Sequence, residues 1–180
     1  MTIDFGKLRA LESLSFTVQG GEIFGLIGRN GSGKTTALKV LCGIFKPKEG
    51  LIVIDGQKVD PAKNEFKKII GYCPQENSFF EKLTVRENMK YFAKLYDVEH
   101  DIEKLTQSIS KSLCFDDKLD SLASTLSGGM KRRLNIACAL MHEPDILLMD
   151  EPSIELDPVS KGELWRLIKM INRTGTTIII

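Results

Sequence analysis

Apolar residues recur along this chain in two rhythms. From Ser13 to Val18 polar and apolar positions alternate, Ser13-Leu14-Ser15-Phe16-Thr17-Val18, which predicts a half-buried strand with Gln19-Gly20-Gly21 as its turn. Glu22 to Ile27 is a short, mostly apolar run that leads directly into glycines. Leu51-Ile52-Val53-Ile54 before Asp55-Gly56 predicts a strand entering a tight turn, and Ile69 to Tyr72 predicts another short strand. The rhythm then lengthens. Thr84-Val85-Arg86-Glu87 has capping-box spacing, and Val85, Met89, Phe92 and Tyr96 behind it fall on one face of a helix. Ile102, Leu105, Ile109 and Leu113 predict a second helix, and Met130, Leu134, Ala137 and Met141 a third. Ile146-Leu147-Leu148-Met149 is apolar on both faces, as a strand covered by helices on both sides of a parallel sheet would be, and Thr176 to Ile180 reads alike. With β elements at both ends of a helical middle, the prediction is an α/β core with a helical insertion over roughly 76–140.

Composition narrows this picture without redirecting it. A chain of 180 residues, 42% hydrophobic and 27% charged, suits one soluble globular domain. A formal net charge of +1 supplies no long-range field for nucleic acid, so no such partner is expected. No apolar run approaches the ~18 residues of a bilayer span, and no signal peptide opens the chain. Any link to a membrane would then run through a partner. Cys42, Cys73, Cys114 and Cys138 are scattered among mostly apolar neighbours, the pattern of reduced thiols in the cytosol. His100 and His142 lie far from any ligand cluster, so a zinc site is not expected.

Three segments carry chemistry. Gly28-Arg29-Asn30-Gly31-Ser32-Gly33-Lys34-Thr35 fits G-x-x-x-x-G-K-[ST], with an apolar strand before it and helix-forming Thr36 to Leu41 after it. Glycines let backbone N–H groups wrap phosphates, and the helix N-terminus adds partial positive charge. Lys34 would neutralise outer phosphates, and the Thr35 hydroxyl would coordinate Mg²⁺. The second segment is Asp150-Glu151, at the end of a strand where α/β sheets bind ligands. Asp150 would hold Mg²⁺ through water, and Glu151 would act as general base toward the attacking water. The third is Leu126-Ser127-Gly128-Gly129-Met130. There a capping serine and bare glycines at a helix start make a second anion cradle that one nucleotide hardly needs.

Together these motifs resemble the nucleotide-binding domain of the ATP-binding-cassette family. The order matches across essentially the whole chain: Walker A (Gly28 to Thr36), Q-loop (Tyr72-Cys73-Pro74-Gln75), signature (Leu126 to Met130), Walker B (Ile146 to Glu151) and D-loop (Ser153 to Asp157). The resemblance implies a P-loop NTPase fold with a mainly parallel central sheet, an N-terminal antiparallel β part and a helical insertion. It implies ATP and Mg²⁺ as ligands and ATP hydrolysis coupled to transport. Gln75 would contact the metal and the nucleophilic water, and Phe5 falls where an aromatic stacks on adenine. Arg29, Asn30, Gly31, Ser32, Gly33 and Thr36 complete the phosphate loop, while Ser127, Gly128 and Gly129 would hold the γ-phosphate bound to the opposite subunit. The implied partners are a second cassette, identical or not, and an integral membrane permease, with the chain on the inner face of the membrane. The run Ser127 to Leu134, with Asp157-Pro158, is most similar to ATPases of ABC-2-type exporters.

Departures from the pattern bear on activity. Glu155 stands where the D-loop usually carries glycine, an acidic group at a tight dimer contact. Met130 replaces a common Gln, an exchange familiar among exporters. The family's switch histidine would follow Ile180, and the first strand is short before Phe5, so the chain reads as a fragment of a longer gene. A soluble non-transport cassette ATPase and an ATP-binding regulatory subunit with impaired hydrolysis are the alternative readings. Phe79 and Phe80 either pack inside the insertion or face a permease, and Lys131-Arg132-Arg133 reads as a solvated helix face.

Overall fold

The structure is a computed structural model that describes residues 1–6, 8–154 and 156–180. An antiparallel hairpin opens it, β1 (Ile3–Phe5) with β2 (Leu8–Leu11). Next come β3 (Ile23–Phe24), the phosphate-loop segment and α1 (Lys34–Leu41). A second hairpin, β4 (Ile52–Ile54) with β5 (Gln57–Val59), turns through Asp55 and Gly56, whose φ angles of 50° and 76° are both left-handed. That is the turn whose twist matches its strands, and Asp-Gly is among its preferred pairs. Then follow α2 (Asn64–Ile69) and β6 (Ile70–Cys73). The helices α3 (Val85–Leu95), α4 (Ile102–Ser112) and α5 (Gly128–Leu140) come in succession, before β7 (Ile146–Met149), α6 (Pro158–Asn172) and β8 (Thr177–Ile179).

The central sheet is parallel, in the order β3-β8-β7-β6. Its strands alternate between two apolar layers, which explains why β7 carries no polar residue. Leu147 and Met149 pack into the larger cluster with Val85 and Met89 of α3, Leu134 of α5 and Ile168 of α6. Leu148 and Ile146 join Leu38 of α1 and Phe66 of α2 on the opposite face. Ile178 and Ile179 of β8 divide in the same way. The first hairpin closes over α1, with Ile3 and Leu11 against Ala37 and Val40.

Thr84 caps α3 as expected: its hydroxyl accepts from the Glu87 N–H, and the Glu87 carboxylate accepts from the Thr84 N–H, together worth about 1 kcal/mol. One expected strand does not form. From Leu14 to Val18 the side chains alternate in burial, with Leu14, Phe16 and Val18 turned inward, yet among the described residues no ladder pairs this segment. Phe16 stacks on Phe24 instead, centroids 5.1 Å apart, so burial alone accounts for the alternation.

Candidate functional site

The segment from Gly28 to Gly33 links β3 to α1 over the C-terminal edge of the sheet. Gly33 adopts φ 95°, and a Cβ there would lie 2.5 Å from the Ala10 carbonyl oxygen of the first hairpin. Only glycine fits that turn into the helix. A Cβ at Gly28 would strike the Ser32 hydroxyl at 2.5 Å, so the loop curls tightly on itself. No side chain caps α1, leaving its first-turn N–H groups directed at the space in front of the loop. Arg29, Asn30, Gly31 and Ser32 form the exposed rim, and Thr36 sits in the first turn of α1.

Lys34 folds back over the loop, its Nζ donating to the carbonyl oxygens of Gly28 at 3.0 Å and Arg29 at 3.4 Å. The same nitrogen lies 3.3 Å from Glu151 Oε1. Thr35 donates its hydroxyl to Asp150 Oδ1 at 3.0 Å. Asp150 is only 2% exposed, and Glu151 takes φ 44°, an unusual backbone angle for a residue with a side chain. Strained backbone of this kind gathers at functional sites.

Strand register sets the last member. Cys73 of β6 pairs with Met149 of β7, and Asp150 N–H donates to the Cys73 carbonyl at 2.9 Å. Gln75 and Glu151, each two residues beyond a paired position, therefore leave the sheet at the same edge. Next to them the Tyr72 hydroxyl is buried, with no hydrogen-bond partner among the described residues. Burial, then the nearby Asp150 carboxylate, pushes its phenol up, so it stays a neutral donor. Burial likewise pushes the Cys73 thiol up to about 11, which makes it a packing group.

These residues fit a magnesium nucleotide. A carboxylate and a hydroxyl already in contact are the hard oxygen donors that Mg²⁺ selects, and the tight glycine loop with an uncapped helix start suits phosphate. Phe5 leaves 43% of itself in solvent. Its ring leans edge-on against Phe45, 5.1 Å between centroids, and Lys39 of α1 lies over Phe45. Ser127 caps α5 by accepting from the Met130 N–H at 3.3 Å. Among the described residues no hydrogen bond or ion pair joins Ser127, Gly128 or Gly129 to the phosphate loop. A separate groove of about 470 Å³, between α4 and the C-terminal ends of α5 and α6, contains none of the site residues.

The basic triplet of α5 corrects its sequence reading. Lys131 pairs with Glu81 at 3.0 Å, and Arg133 pairs with Glu163 at 2.6 Å while donating to the Cys114 carbonyl. Arg132 is 7% exposed, and its guanidinium donates to four backbone carbonyls: Pro74 at 2.8 Å, Gln75 at 3.2 Å, Asp150 at 3.1 Å and Pro152 at 3.0 Å. One turn on, buried Asn135 donates to Pro74 and Glu76 carbonyls and accepts from Ser78. A signal was available, since a polar pair three apart borders the run Ile136 to Ala139, which needs enclosure. The two aromatics also separate: Phe79 is 7% exposed, whereas Phe80 is 47% exposed and set edge-on against Tyr91. Glu155 lies outside the described residues.

Comparison with known proteins agrees with this geometry. The family described as ABC transporter matches residues 11–154. The chain is 35% identical to the linearmycin resistance ATP-binding protein LnrL of Bacillus subtilis, over 97% of the chain and 57% of that protein. It is 39% identical to Nod factor export ATP-binding protein I of Burkholderia thailandensis, over 94% of the chain and 56% of that protein. It thus spans a little over half the length of these relatives. Among solved structures, cbiO1 of Clostridium perfringens, described as part of the ABC transporter complex cbiONQ, superposes with a TM-score of 0.88. That match is at 28% identity and covers 99% of this chain and 74% of the other, so the P-loop NTPase fold is shared.

Proposed function

The chain belongs to the ABC transporter family, and from that premise we propose that it binds and hydrolyses ATP to drive a separate membrane permease. The observation that carries the proposal is the meeting of Lys34 with Glu151 at 3.3 Å and of Thr35 with Asp150 at 3.0 Å, at one edge of the sheet.

In this reading the loop N–H groups and the α1 N-terminus grip the triphosphate, and Lys34 exchanges the Gly28 carbonyl for the outer phosphates. Thr35, Asp150 and Gln75 would hold Mg²⁺. When bound, the metal neutralises charge on the β- and γ-phosphates. Glu151 takes a proton from water as the water oxygen bonds to the γ-phosphorus. The bond from that phosphorus to the bridging oxygen breaks, leaving ADP and phosphate. A general base of this kind contributes about 10²–10⁴-fold. Phe5 offers its exposed ring to adenine.

Ser127, Gly128 and Gly129 serve the nucleotide of a second cassette. A Cβ on Gly128 would meet nothing within 4 Å, so packing inside this chain gives no reason for the missing side chain. Close approach from outside does. Two chains arranged head to tail would complete each other's sites. The relatives named for resistance and export favour an exporter, seated on the inner membrane face through its permease. Among the described residues no helix is long and apolar enough to cross a membrane.

Two variants test the reading. Lys34→Ala should fold and lose Mg·ATP binding by calorimetry. Glu151→Gln should bind Mg·ATP while releasing phosphate at least ~100-fold more slowly than wild type. Undiminished binding in the first variant, or equal turnover in the second, removes the corresponding residue from the mechanism.

A further inference from the structure

Arg132 presents a chemical puzzle. A guanidinium is costly to bury, and this one takes no carboxylate partner among the described residues; its hydrogen-bond acceptors are four neutral carbonyls. An apolar side chain of similar volume is often as stabilising as a buried ionic group or better, so the fold alone does not call for arginine here. The acceptors reveal what it does join. Pro74 and Gln75 lie beyond β6, and Asp150 and Pro152 flank Glu151 beyond β7. One planar fork thus bridges the two loops bearing Gln75 and Glu151. The strand ladder registers β6 and β7 only as far as Cys73 and Met149, with one further bond from Asp150 N–H to the Cys73 carbonyl. Beyond that point Arg132 continues the connection, and Asn135 fixes the outer side of the first loop through Pro74, Glu76 and Ser78.

We propose that Arg132 is a positioning residue for ATP hydrolysis: it holds the Gln75 loop and the Glu151 loop in one fixed relation, so that metal ligand and general base address the same water. This role rests on the ATPase reading above. It acts through backbone placement, and a displacement of about 1 Å at such a centre costs on the order of 10²-fold in rate. The phosphate loop receives none of the four bonds, so Arg132 reaches the nucleotide only through the loops of Gln75 and Asp150-Glu151, and its loss should weigh on turnover more than on binding.

Steady-state phosphate release by the full chain decides the matter, measured for wild type, Arg132→Gln, Arg132→Lys, Gln75→Ala and the double variant Arg132→Gln/Gln75→Ala. Melting curves establish that each protein is folded. Arg132→Gln should lower kcat by about 10–100-fold with the KM for ATP within about threefold of wild type. Arg132→Lys, which keeps the charge without the fork, should fall between them. In the Gln75→Ala background the Arg132→Gln step should cost less than a third of its effect in wild type, because two residues serving one geometry are not additive. Wild-type kcat in folded Arg132→Gln overturns the proposal, as does a loss that is additive with Gln75→Ala. Failure of both Arg132 variants to fold also overturns it, making Arg132 a fold residue alone. A wild-type chain that releases no phosphate instead refutes the ATPase reading, and that control separates the two failures.

Discussion

Thr35 donates its hydroxyl to Asp150 across 3.0 Å, joining the first turn of α1 to the end of β7 over 115 positions of sequence. The bond satisfies an oxygen of a carboxylate that is 2% exposed, and it brings the hydroxyl and the carboxylate to one point. Thr35→Val removes the hydroxyl with little change in shape. It should cost about 1–3 kcal/mol by urea unfolding, because a buried charged acceptor loses its donor. It should also abolish the part of ATP affinity that depends on Mg²⁺, read by calorimetry with and without the metal. Equal Mg²⁺ dependence in variant and wild type would separate Thr35 from the metal.

Gly128 distinguishes a helix terminus from a ligand cradle. Since a Cβ there meets nothing, and alanine favours helix by up to about 1 kcal/mol over glycine, Gly128→Ala should melt at or above the wild-type temperature. Placed in a Glu151→Gln background, it should prevent ATP-driven association. The Glu151→Gln parent should be monomeric with ADP and dimeric with ATP in the ultracentrifuge. A Gly128→Ala variant that dimerises as readily as its parent would show that phosphate does not approach α5 there.

Acid should weaken the fold through His142. Its ring stacks on Tyr96 with centroids 3.9 Å apart, Nε2 meets the Ile70 carbonyl at 3.0 Å, and Nδ1 is buried with no partner among the described residues. Burial holds its pKa below the ordinary 6.5, against an opposing pull from the Ile70 carbonyl. The neutral ring is therefore favoured in the folded state. Its contribution is fully present above pH 6.5 and is lost as pH falls below that value, where the unfolded chain takes up the proton first. His142→Phe keeps the stack and removes the titration. Between pH 7.5 and 5.5 its melting temperature should fall less than that of wild type. Parallel slopes would refute the assignment.

What the amino-acid order disclosed followed from how each signal is carried. β7 was legible because apolar character at every position has few other uses, and the phosphate loop because its glycines are dictated by backbone geometry. Thr84 and Glu87 were legible because a capping box is local. Arg132 is hard to read because three basic residues in a row resemble any solvated face, and its acceptors lie in two loops, 18 to 58 residues away. The helix α6 is not among the elements predicted from the sequence: Asp157 stands there as the end of the D-loop and Asp157-Pro158 as an exporter-like pair, yet Asp157 also caps that helix, with proline in its first turn. Phe79 and Phe80 could not be told apart, since which neighbour turns inward depends on the path of the chain around Asn88.

The place of β8 in the sheet imposes an order on biosynthesis. Although it is made after β7, β8 lies between β3 and β7, and among the described residues β3 pairs in the sheet with β8 alone. As the chain leaves the ribosome at about 5–20 residues per second, β6 and β7 can pair as soon as both have emerged, while β3 waits. Ile23 and Phe24 meet Ile178 and Ile179 only after more than 150 further residues have been translated. Such late, non-local closure is slow, and it leaves an apolar strand edge bare in the interval. A nascent chain would therefore gain its grip on nucleotide only once β8 has emerged and secures the strand that feeds the phosphate loop.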